Sequence, residues 1–144
     1  MKKYLYLLLV AIFATMPLVL TSCGDDDEPD GGNATEAMIK KYIVGEEWSI
    51  VEVEIDGSWV KYPDYREYIR PYAINLKLDT DGSFWTWGDY TIKGSKIDLY
   101  VGGRHDLTID VLSVSESEYE AIMTEYGNNL VVSYRAKCHK GYIF

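Results

Sequence analysis

Two short constellations in this 144-residue sequence hold residue types that do chemistry. The first is Gly102-Gly103-Arg104-His105-Asp106. A guanidinium, an imidazole and a carboxylate in one turn can hold an anion or act as acid and base. A merely solvated turn has the same composition. Its glycines follow a strand pattern and no helix pattern follows them, so it is not a nucleotide loop. The second is Cys138-His139, the residue types of a metal site. Adjacent side chains on a strand point to opposite faces, so this pair cannot readily chelate one ion. Cys138 reads as a buried thiol and His139 as a surface imidazole. Asp79-Thr80-Asp81-Gly82 lacks the downstream Glu of a calcium loop, and a hairpin turn accounts for it. There is no nucleophile elbow and no paired histidine motif. The sequence therefore assigns no catalytic residue, no metal ligand and no cofactor, and the chain does not read as an enzyme.

The richest segment for recognition runs from Ser58 to Tyr72. It interleaves Trp59, Tyr62, Tyr65, Tyr68 and Tyr72 with Lys61, Arg66 and Arg70. Tyr65, Tyr68, Ile69 and Tyr72 have helical spacing, and Pro63 suits a first helical turn. Aromatic faces mixed with arginine stack on sugars or flat apolar ligands. The same tyrosines can also wedge the segment against a core. Trp59, Tyr62, Tyr65, Arg66, Tyr68 and Arg70 are the candidate ligand-binding residues.

The elements that position these groups follow from composition and period. The chain is 47% hydrophobic and 26% charged, which suits a folded domain and not a disordered or polytopic one. Its net charge of −9 argues against nucleic acid as a partner. Glu36 to Val44 reads as one short helix, capped by Asn33 or Thr35 and stopped by Gly45. After Trp48 the chain alternates. Val51, Val53 and Ile55 share a face, with Trp48 and Ile50 out of phase, which predicts a bulge near Ile50. Ile74, Leu76 and Leu78 form a further set, followed by Phe84-Trp85-Thr86-Trp87 and then by Tyr90 and Ile92. Ile97, Leu99 and Val101, then Leu107, Ile109 and Val111, continue the pattern. Tyr119, Ala121 and Met123 follow, and Leu130, Val132, Tyr134, Ala136 and Cys138 end it. Asp56-Gly57, Asp81-Gly82, Gly94-Ser95, Gly102-Gly103 and Gly127-Asn128-Asn129 are the turns. The expected fold is all-β. It is an up-and-down antiparallel meander of about eight strands, closing into a small barrel with one short N-terminal helix.

The N-terminus reads as an address. Lys2 and Lys3 precede 17 uncharged residues, Tyr4 to Leu20, which fits a secretory signal. Leu20-Thr21-Ser22-Cys23 resembles the lipobox of bacterial lipoproteins. That resemblance implies cleavage before Cys23 and acylation of Cys23, so that lipid chains such as palmitate anchor the protein to a membrane. Gly24-Asp25-Asp26-Asp27-Glu28-Pro29-Asp30 has no apolar residue to bury and reads as a solvated tether. An acidic run in this place resembles the surface-export signal of lipoproteins in Gram-negative gut commensals. It implies the outer membrane, facing outward. The expected organisation is a signal peptide over 1–22, a lipidated Cys and acidic tether over 23–35, and a β-barrel domain over 36–144.

The order of elements in that domain resembles the lipocalin-like domains of small lipoproteins from such bacteria. The residues that carry it are Gly45 to Trp48, the hairpin Leu76-Lys77-Leu78-Asp79-Thr80-Asp81-Gly82-Ser83-Phe84, and Tyr90-Thr91-Ile92-Lys93-Gly94-Ser95-Lys96-Ile97. In lipocalins the loop between the first two strands covers the mouth of the cup. The resemblance implies a binding module for a small apolar or glycan-like ligand. The alternative is an interaction subunit or inhibitor that presents an aromatic surface to a protein partner without a cavity.

Overall fold

Thr35 is extended, at φ −87° and ψ 160°, and its hydroxyl accepts from the Met38 N–H at 3.3 Å. That cap starts helix α1, Glu36–Tyr42, and Gly45 at φ +85° turns the chain out of it. This is a computed structural model, and it describes residues 33–85 and 88–143. The signal over 1–22, Cys23 and the acidic run Asp25–Asp30 lie outside the described residues, as do Thr86, Trp87 and Phe144.

Nine strands follow among the described residues. They are β1 Glu47–Ile55, β2 Ser58–Lys61, β3 Asn75–Lys77, β4 Ser83–Phe84 and β5 Gly88–Lys93, then β6 Lys96–Val101, β7 Arg104–Val114, β8 Glu118–Tyr126 and β9 Val131–Lys140. They make one antiparallel sheet in the order β2-β1-β9-β8-β7-β6-β5-β4, with β3 also on β1. The pairing order does not return to its start, so the sheet is not closed into a barrel. β3 and β4 are joined by a single bridge, Leu78 to Phe84, and by the Asp79 N–H donating to the Ser83 carbonyl at 2.8 Å. The strand beyond the expected eight is β2. It is a four-residue edge held to β1 through the Asp56-Gly57 turn, whose φ values of 49° and 80° suit a two-residue hairpin.

The bulge expected near Ile50 is present as a register shift between Ile50 and Glu52 against β9. It lets Trp48, Ser49, Ile50 and Val53 all be buried. In β6, β8 and β9, and in β7 from Leu107 to Val111, alternation holds. Ile97 and Leu99 face inward, with Leu107, Ile109 and Val111, Ala121 and Met123, and Tyr134, Ala136 and Cys138. Leu130 departs from its expected place in that set. It lies in the β8–β9 turn, before the ladder begins, and is 65% exposed.

Register defines two ends. Arg104 pairs with Val101 and Tyr126 with Val131 at one. Lys96 pairs with Asp110 and Glu118 with His139 at the other. Helix α1 sits at the second end, where Ala34 N–H donates to the Val111 carbonyl at 3.1 Å and Trp48 Nε1 to the Ile43 carbonyl at 3.3 Å. Ile39 and Ile43 cover the core there.

Candidate functional site

The segment 62–74 joins β2 to β3 and reaches the end opposite the helix through Tyr72. The spacing from Pro63 to Tyr72 predicts a helical turn or two, but only Asp64–Glu67 forms a short 3-10 turn, and Ser58–Lys61 before it is strand β2. The six candidate residues do not share one surface. Tyr65 has no exposed area, and its hydroxyl donates to the Ile50 carbonyl at 3.0 Å. Burial, then the nearby Cys138, pushes that phenol up to about 12. Tyr62 packs edge-on to Tyr65 with ring centroids 5.8 Å apart, against the core. Trp59 lies on the outer face of β2, with Lys137 Nζ 4.0 Å and Arg135 Cζ 5.5 Å from its ring centroid. The cations over Trp59 therefore come from β9, not from Arg66 or Arg70. Arg66, Tyr68 and Arg70 are exposed, Tyr68 by 67%.

The segment's anchor is Tyr72. Its backbone N–H donates to Glu125 Oε1 at 2.6 Å, and its hydroxyl to Asp106 Oδ2 at 3.3 Å. Its ring tilts against Trp85 at 5.9 Å. Asp106 also receives Arg104, Nε to Oδ1 at 2.6 Å and Nη2 to Oδ2 at 3.3 Å. This two-point pair leaves the Asp106 side chain 4% exposed and that of Arg104 66% exposed. Glu125 Oε1 takes a second bond from the Tyr134 hydroxyl at 2.7 Å. Burial, then Asp106, raises the Tyr72 phenol above its ordinary range, and the bond to Asp106 raises the Arg104 guanidinium. Burial, then the bond to Glu125, raises the Tyr134 phenol.

Strict alternation from Leu107 would turn Asp106 outward. It faces Tyr72 instead because β7 slips against β6. Leu99 pairs with Leu107 and Tyr100 with His105, so Asp106 is the extra residue of a bulge. Bulges re-aim a side chain in this way. His105 takes the outer side, its ring 5.0 Å from Tyr100 and 4.3 Å from Tyr126. Its Nε2 lies 3.1 Å from Asp98 Oδ1 and 3.0 Å from Thr108 Oγ1. Arg104, His105 and Asp106, expected in a turn, thus begin strand β7 and serve two separate clusters.

Tyr72, Arg104, Asp106, Glu125, Tyr126 and Asn128 border an open groove of about 200 Å³. Among the described residues a void of about 10 Å³ lies beside Trp48, Met123 and Tyr134. That is room for one water at most. Cys138 and His139 lie on opposite faces, the thiol wholly buried and the imidazole exposed. Among the described residues no group of three metal-ligating side chains converges, and no helix is long and apolar enough to cross a membrane. No protein-family model, curated protein or solved structure matches the chain.

Proposed function

We propose that the chain is a lipid-anchored lipoprotein of the outer membrane, held outward by Cys23 and its acidic tether. Its β domain binds at one end of the sheet rather than inside it. The fold is a lipocalin-like meander that wraps toward a barrel, and the Leu78–Phe84 bridge supports that wrapping. The observation that carries the binding reading is the contrast in space. The void beside Trp48, Met123 and Tyr134, about 10 Å³, is far below the roughly 300–1,000 Å³ of a ligand-enclosing pocket. The segment 62–74 leaves Arg66, Tyr68 and Arg70 exposed, and through Tyr72 it borders the groove. A surface that is aromatic and polar suits a glycan or a protein partner better than an apolar molecule swallowed whole.

Amide-shift mapping on the full chain tests this, with octanoate and short neutral and acidic oligosaccharides as probes. Shifts confined to Tyr68, Tyr72, Arg104 and Asn128 are expected. Shifts centred on Trp48, Met123 and Cys138 would put the ligand inside and overturn the reading.

A further inference from the structure

We infer that the groove beside Tyr72 is a subsite for a single neutral pyranose ring. The inference rests on the end-surface reading above and adds the ligand class. Tyr72 is fixed three times, by its N–H on Glu125, its hydroxyl on Asp106 and its ring against Trp85. It is nevertheless 36% exposed. A ring held so firmly loses little freedom when a flat, C–H-rich sugar face settles on it.

Both bonds to Glu125 fall on Oε1, so Oε2 is left to accept from a hydroxyl. Arg104 spends Nε and Nη2 on Asp106 and keeps Nη1 for a donor contact. Asn128 is exposed, and its amide both donates and accepts. Donors and acceptors beside one aromatic ring match the hydroxyls of a sugar. They do not match a hydrocarbon, which would leave them unpaired.

The groove border carries two carboxylates against one guanidinium, and that guanidinium is already paired. A sugar acid meets net repulsion there, and a neutral sugar does not. The volume of about 200 Å³ is below that of a drug-sized pocket, which fits one ring. A contact of this size gives a dissociation constant on the order of millimolar.

The test is ligand-observed and amide-shift titration of the full chain. The probes are methyl glucoside, methyl galactoside and methyl mannoside up to about 10 mM, with glucuronate as the acidic comparator. At least one neutral glycoside should bind with its ring protons shifted upfield by the Tyr72 ring, and about tenfold more tightly than glucuronate. Tyr72→Ala should weaken it tenfold or more. Asn128→Ala alters an exposed turn residue and should weaken it severalfold with an unchanged melting temperature. Failure of all three glycosides to bind overturns the inference, as does binding that both variants leave intact. If glucuronate alone shifts Tyr72 and Asn128, the neutral-sugar inference falls and end-surface binding stands. If shifts centre on Trp48 and Cys138, both fall.

Discussion

The Tyr65 hydroxyl donates to the Ile50 carbonyl at 3.0 Å, at the residue where β1 slips register against β9. The 3-10 turn that carries Tyr65 is thereby pinned to the strand irregularity that buries Trp48, Ser49 and Ile50 in a row. A bulge disturbs its ladder locally, and a side-chain donor supplies a bond there.

This contact separates packing from hydrogen bonding in one residue. Tyr65→Phe keeps the ring and should cost about 0.5–1.5 kcal/mol. Tyr65→Ala removes a fully buried aromatic and should cost about 3–5 kcal/mol. Urea unfolding of the two variants measures both. Equal losses would mean that the hydroxyl, not the ring, is what the fold needs.

Gly88 is a matter of space. A Cβ there would lie 2.3 Å from a ring carbon of Phe84, itself fully buried. Gly88→Ala should therefore destabilise by about 1–3 kcal/mol. Thermal melting reads this directly, and an unchanged midpoint would show that the Phe84 ring can move aside.

Burial pushes the Cys138 thiol up from an ordinary 9.0 to about 12. The folded chain keeps a proton that the unfolded chain releases. The stabilisation is thus complete below pH 9 and is lost as pH rises toward 12, at up to about 1.4 kcal/mol per pH unit. Unfolding free energies of the parent and Cys138→Ala, compared from pH 8 to 11, isolate this term from the tyrosines. The parent should lose stability faster, and parallel profiles would exclude it.

The anchor is tested in cells. Cys23→Ala should leave a full-length, unacylated precursor, read by intact mass and by partition into detergent. Recovery of a shortened, lipid-bearing protein from that variant would place the attachment elsewhere.

Much of the fold was legible because strict alternation reports one buried face. The inward sets of β6 to β9, the hairpin turns and the bulge at Ile50 were all visible as period and phase. Strand β2 was not. Four residues with two half-buried side chains have no period of their own, and pairing with β1 defines them. Tyr65 was ambiguous because helical spacing is the same for a wedge and for an exposed row. The groove was hidden for a different reason. Asp106 reaches Tyr72 only through a slip between β6 and β7, and Glu125 and Asn128 meet it from a distant hairpin. The one signal available was Asp106 standing next to Leu107, two residues that cannot both obey alternation if both are buried.

The narrow join between β3 and β4 has a kinetic consequence. One bridge and three bonds at Asp79 hold Leu78 and Asp79 to the β4–β5 hairpin: its N–H on the Ser83 carbonyl, and its carbonyl under the Gly82 N–H and the Tyr90 hydroxyl; β7, β8 and β9 are paired over far longer runs. Breathing of the domain should begin at that join. In deuterated water the amide of Asp79 should exchange orders of magnitude faster than those of Ile109, Ala121 and Ala136, which open only with the whole domain.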